Sequence, residues 1–177
     1  MIRQGDRLPD TPLATVACGQ LVEIPLGDLL ADRTVAIVGL PGAFTPVCTG
    51  HHLPLLIHSR ARLTAAGIDR ILCVAPDNPW AMAAWRANLP GAEDFHFLSD
   101  ANHHLIRALG MATRVESLHL GTTSRRWLVI ARDGVVLRLR VEPSVLDVTC
   151  TGPDAAVAMM DEVATAPAPG PELALVG

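Results

Sequence analysis

Three features of the 177-residue chain predict an α/β fold, with a mixed central sheet and helices on both faces. Two short, continuously apolar runs, Thr34–Leu40 (TVAIVGL) and Arg70–Ala75 (RILCVA), read as buried strands. Each is followed by a segment with helical spacing. Later, Arg126–Ala131 and Val135–Val141 flank Arg132-Asp133-Gly134, a hairpin signal because Asp-Gly supplies the positive φ of a tight turn. Strands alternating with helices, then a hairpin and a last helix, imply layers packed on a sheet.

Taken in order, residues 13–17 and 20–24 flank Cys18-Gly19 and read as a short hairpin. The strand at Thr34–Leu40 is ended by Pro41-Gly42. A long helical segment is expected from Pro46 to Ala66, where Leu53, Leu56, Ile57 and Leu63 keep close to helical spacing. After the Arg70–Ala75 strand come a helix over Pro79–Asn88, a strand at Phe95–Leu98 and a helix over Asn102–Leu109. The closing helix, Asp154–Ala164, is opened by Thr151-Gly152-Pro153. One domain over residues 1–165 is expected, in keeping with ~100–200 residues per domain. Residues 166–177, with three prolines and two glycines, are expected to form a loose tail.

Composition narrows the chemistry. The chain carries 14 basic and 18 acidic side chains, a net charge of −4, and three Trp, three Phe and no Tyr. Every basic residue is arginine, so lysine chemistry such as a Schiff base or a P-loop ammonium is excluded. Scattered arginines and few aromatics argue against nucleic-acid binding. No apolar run approaches the ~20 residues of a membrane span, and Met1–Pro12 lacks the apolar stretch of a signal peptide. A cytoplasmic protein without membrane or nucleic-acid partners is therefore expected.

Four cysteines, Cys18, Cys48, Cys73 and Cys150, are too few and too widely spaced for a disulfide scaffold, and no C-x-x-C occurs. Each is then a buried inert thiol or a catalytic one. Cys48 stands out by position. In Gly39-Leu40-Pro41-Gly42-Ala43-Phe44-Thr45-Pro46-Val47-Cys48 a strand ends and a helix begins, with Thr45 placed as N-cap and Pro46 at the first helical position. Cys48 falls in the first turn, where free N–H groups and the helix dipole favour a thiolate. That contribution is only ~0.3–1 kcal/mol, at best ~2. Strong activation needs a nearby cation, either an arginine or a protonated histidine. The competing reading of any one cysteine is an inert buried thiol, which suffices for Cys73 inside its apolar strand.

The pattern Pro41-x-x-x-Thr45-x-x-Cys48, within GLPGAFTPVCTGHHLP, resembles the active-site segment of the peroxiredoxins, in the subfamily called type V in animals and type II in plants. The resemblance continues through DRILCVAPDNPWAMAAW (69–85), FHFLSDANHHLIRALGM (95–111) and GTTSRRWLVIARDG (121–134), covering the chain apart from its proline-rich end. It implies a thioredoxin-like fold and a cofactor-free, metal-free thiol peroxidase acting on hydrogen peroxide and organic hydroperoxides. It further implies Cys48 as peroxidatic cysteine, Thr45 bonding thiolate and peroxide, Pro41 shielding the pocket, and Arg126 as the required cation. Arg125 is the neighbouring alternative, but side chains alternate along a strand, so one of the two should face the pocket. Cys150 matches the resolving cysteine of the animal-type enzymes, and Cys73 a position implicated in some plant-type ones. A loop moves more easily than a buried strand, which favours Cys150. His52 matches a histidine that braces the site.

Thioredoxin, glutaredoxin or glutathione is implied as reductant, and a homodimer as the assembly. A Cys48–Cys150 bond requires the first turn to unwind, which Gly50 and Pro54 make easy because Pro54 has no N–H to return to Gly50. The sequence departs from the family in reading Asp77-Asn78 where Asn-Asp is usual and Trp127 for a Phe. Zinc at His51, His52 and His58 is disfavoured, since adjacent histidines on a helix diverge. His103-His104 are expected on a solvated face, and Trp80 and Trp85 in the core or a dimer contact. A non-enzymatic redox sensor and a partner-binding thioredoxin-like domain are the competing functions. Sustained turnover separates the sensor, and rapid oxidation of Cys48 excludes the inert domain.

Overall fold

The structure, a computed structural model, describes residues 1–166. The expected tail therefore lies almost wholly outside the described residues. The chain opens with a hairpin of β1 (Pro12–Ala17) and β2 (Gln20–Pro25), whose turn residues Cys18 and Gly19 both take positive φ. A short helix α1 (Leu26–Leu30) leads to β3 (Thr34–Gly39). Next come a π-helical turn (Cys48–His52), α2 (Leu53–His58), α3 (Arg60–Ala65) and β4 (Arg70–Ala75). They are followed by α4 (Pro79–Ala87), β5 (His96–Ser99) and α5 (His104–Ala108). The rest is β6 (Ala112–Val115), β7 (Gly121–Ser124), β8 (Trp127–Arg132), β9 (Val135–Val141) and α6 (Pro153–Thr165).

Seven strands form one mixed sheet in the order β2-β1-β5-β4-β3-β8-β9. The β3–β4 and β4–β5 pairs are parallel and the rest antiparallel. Both faces are covered. Ala36, Val38, Cys73, Leu128 and Ile130 face a core completed by Leu53, Leu56, Met82, Trp85 and Met159, from α2, α4 and α6. The alternate residues Val35, Ile37, Leu72, Val74 and Val129 face Leu26, Leu29, Leu105 and Ile106, from α1 and α5. Burial on both sides is why β3 and β4 are continuously apolar in sequence. Among the described residues, no helix is long and apolar enough to cross a membrane.

Several expectations are corrected. The single helix expected over Pro46–Ala66 is interrupted: the Leu53 N–H reaches Cys48 O, five residues back, and a second break falls at Ser59. Pro54, with no N–H and a ring that crowds the carbonyl four residues earlier, supplies the reason for the widened turn. Helix α5 starts later than expected because His103 is left-handed and the buried Asp100 carboxylate accepts the Leu105 and Ile106 N–H groups at 3.1 and 2.9 Å. The β6–β7 ribbon and α1 are not foreseen, since neither segment carries a long apolar pattern.

Candidate active site

Strand pairing assembles the site. β3 runs antiparallel to β8 with Gly39 opposite Trp127, and β8 pairs β9 with Trp127 opposite Val141. Residues 40, 126 and 142 consequently share one end of the sheet. The backbone at Gly39 is also packed under the Trp127 indole, where a Cβ would come within 2.0 Å of the ring. The Leu40–Thr45 loop leaves β3 and turns through Phe44, which holds a left-handed φ of 58°. The Ala43 N–H donates to Asp77 at 2.7 Å, and burial pushes that carboxyl's pKa up. Asn78 beside it accepts the Ala81 N–H and caps α4, giving both residues of the altered Asp77-Asn78 pair a use.

The helical path begins after Thr45, and the Thr49 N–H bonds back to Thr45 O at 2.9 Å. The expected side-chain cap is not made: the Thr45 hydroxyl donates to Gly42 O at 2.9 Å. Cys48 is 0% exposed. Among the described residues its sulfur takes a hydrogen bond from Arg126 Nη1, at 3.3 Å, rather than from the helix-start amides. The same Nη1 donates to His52 Nδ1 at 3.0 Å, and Nη2 donates to Val145 O at 2.7 Å. His52 Nε2 lies 2.9 Å from Thr151 O. A carbonyl only accepts, so Nε2 carries the proton and Nδ1 the lone pair that meets Arg126. Burial, opposed by the bond to Thr151 and reinforced by Arg126, lowers the His52 pKa to about 4, so the ring is neutral at pH 7.

Arg125 points elsewhere, its Nη2 reaching Glu142 O at 3.4 Å. Beside Arg126, Pro41, Thr45, Leu118, Leu120 and Leu146 line a predominantly apolar cavity of about 180 Å³. The Thr123 hydroxyl donates to Pro41 O and ties the β6–β7 ribbon to this wall. Trp85 is buried and its Nε1 donates to Thr49 at 3.0 Å beneath the π-turn, whereas Trp80 is exposed.

The other thiols differ in setting. Cys73 is fully buried in β4, on the same sheet face as Cys48, and burial pushes its pKa up. Cys18 is exposed at the hairpin tip. Cys150 is half-buried after β9, with Sγ 3.6 Å from Val141 O, and burial followed by the neighbouring Glu142 charge pushes its pKa up. Glu142 is the residue that sequence reasoning missed. It is 1% exposed and accepts bonds from Thr149, Cys150 and Thr151. A lone glutamate before Pro143 carries no local signal of burial. Among the described residues no group of three His, Cys, Asp or Glu could hold a metal ion.

The Redoxin family matches residues 3–156. The chain is 40% identical over 146 residues to "Peroxiredoxin-2E-2, chloroplastic" of Oryza sativa subsp. japonica, covering 80% of this chain and 65% of that one. It is 34% identical to the chloroplastic peroxiredoxin-2E of Arabidopsis thaliana, of which it spans 62%, so it covers slightly less than two thirds of these plastid relatives. Of peroxiredoxin-2C from the same rice it spans 79%, at 35% identity, which uses 72% of this chain. Among solved structures, reduced Prx3 in complex with H2O2 from Vibrio vulnificus superposes with a TM-score of 0.84 at 31% identity, covering 90% of this chain and 99% of that one.

Proposed function

We propose that this chain, which belongs to the redoxin family and is a peroxiredoxin of the type II kind, is a thiol peroxidase reducing hydrogen peroxide and small organic hydroperoxides. One observation carries the reading: a fully buried thiol at a helix start with a buried guanidinium 3.3 Å from its sulfur. The Cys48 thiolate attacks the terminal peroxide oxygen. The O–O bond breaks, the sulfur is oxidised to sulfenic acid, and the departing oxygen takes a proton to leave as water or alcohol. Arg126, fixed by His52 and Val145, stabilises the charge that develops on sulfur and both oxygens. Arg126 Nε is buried with no hydrogen-bond partner among the described residues, and the same side chain contributes to the wall of the adjoining cavity. Thr45 positions the peroxide, Pro41 shields it, and His52 braces the arginine.

Cys150 then attacks the Cys48 sulfenic sulfur. An S–S bond forms, water leaves, and an external dithiol or glutathione restores both thiols. Cys150 is favoured over Cys73 because it sits on a half-buried segment between elements, whereas Cys73 is held in a central strand. A reducing, cytoplasmic setting suits four free cysteines, although some relatives are named as chloroplastic or mitochondrial.

The test is intact mass and peptide mapping of reduced protein given one equivalent of hydrogen peroxide, comparing wild type, Cys48→Ser and Cys150→Ser. The expected result is rapid loss of two hydrogens, mapped to Cys48–Cys150 and abolished in both variants. Oxidation that stops at Cys48 without that bond assigns resolution to outside thiols, and a Cys48–Cys73 bond moves it to the strand. A Cys48 that stays reduced overturns the reading.

A further inference from the structure

We propose that Glu142 is a positioning residue: its carboxylate clamps the segment carrying Cys150 against the peroxidatic centre and governs when that cysteine is released. Four donors from three successive residues converge on it. Oε1 accepts the Thr149 N–H at 2.8 Å, the Cys150 N–H at 2.7 Å and the Thr151 hydroxyl at 2.8 Å, and Oε2 accepts the Thr149 hydroxyl at 2.7 Å. Among the described residues the carboxylate has no ion-pair partner within 4.0 Å. A buried charge without a counter-ion is retained only where hydrogen bonds to the charged form replace its water, and here one short segment supplies them all. Those four bonds outweigh burial and hold its pKa down at about 2, so the clamp is charged throughout the physiological range.

The clamp reaches the reacting sulfur in three steps. Holding Thr151 points its carbonyl at His52 Nε2, which fixes the tautomer. The Nδ1 lone pair so exposed receives Arg126 Nη1, and that same Nη1 donates to Cys48 Sγ. The Glu142 N–H also donates to Arg126 O at 2.9 Å, binding the clamp to the strand end that carries the arginine. The arrangement that aligns the reduced site therefore restrains Cys150. Its N–H is a clamp donor, so moving this cysteine toward Cys48 breaks the clamp and frees His52 together. Resolution and the dismantling of the reduced site become one event.

The inference rests on the peroxidase reading for its consequence in turnover, but the clamp is testable without peroxide. Reduced full-length protein is treated with iodoacetamide at a pH where Cys150 is ionised in every variant, and its modification is followed by peptide mapping. Glu142→Gln, whose amide offers donors where donors already converge, is expected to raise the Cys150 rate tenfold or more. Thr149→Val, which keeps the charge and removes one bond, is expected to raise it severalfold. Cys73, buried in β4, reports general loosening and should be unchanged. The ring-nitrogen NMR shifts of His52 should lose the Nε2–H pattern in Glu142→Gln and keep it in Thr149→Val.

An unchanged Cys150 rate, or equal acceleration at Cys73, overturns the proposal. If Glu142→Gln does not fold, Thr149→Val and Thr151→Val decide by the same criteria. With one equivalent of hydrogen peroxide the clamp variants should form the Cys48–Cys150 bond at a higher ratio to sulfinic acid than wild type. If no variant is oxidised while alkylation responds as described, the peroxidase reading fails and the clamp stands.

Discussion

Arg126 shows how one side chain becomes a site. Its planar fork serves sulfur, imidazole and a carbonyl at once, which a lysine ammonium could not do in the same geometry. His52, neutral and buried, makes the centre acid-sensitive. Its folded pKa of about 4 lies below the ordinary 6.5, so between those values the unfolded chain binds the extra proton. The stability contributed is complete above pH 6.5 and is lost as pH falls toward 4, about 3 kcal/mol in all. Urea midpoints at pH 7.5 and 5 should differ in wild type, and His52→Gln should flatten that difference. An equal slope in both proteins would place the acid sensitivity elsewhere.

At the level of elements, the π-turn and Pro54 are one device. An α-helical Pro54 would have to return an N–H to Gly50, and it has none, so the turn carrying Cys48 starts out loosened. Pro54 is exposed, and replacing it adds a hydrogen bond without disturbing the core. Pro54→Ala should therefore tighten the turn, slow formation of the Cys48–Cys150 disulfide severalfold, and raise the yield of sulfinic Cys48 as peroxide is increased. Mass spectrometry of the Cys48 peptide reads both products. An unchanged product ratio would show that unwinding of this turn does not limit resolution.

For the whole molecule, the assembly expected from the family is a homodimer. Leu118 and Leu146 line the cavity beside Arg126 and are 43% and 56% exposed, apolar surface of the kind that marks interaction sites. Sedimentation at micromolar concentration should give twice the 18.8 kDa chain mass, and a monomeric mass would overturn the expectation. The fold-level reading from sequence is close to the observed architecture, because both two-sided strands and the Asp133-Gly134 hairpin are written locally. The two-stranded β6–β7 ribbon escaped it. ATRV and GTTS carry little apolar alternation, and their place comes from overhanging the site.

Local pattern in the amino-acid sequence specifies the seven strands of the main sheet in order, the thiol at a helix start, and the need for a cation beside it. Those properties follow from apolar periodicity, turn residues and the helix dipole, all of which act within about ten residues. Packing of distant segments brings Arg126 to Cys48, turns Arg125 to the Glu142 carbonyl, and buries Glu142 behind them. These contacts join residues 78 and 17 positions apart, and a carboxylate to a segment beyond the next turn. Strand register and the pairing of buried polar groups set them, and both are settled only when distant parts of the chain pack together.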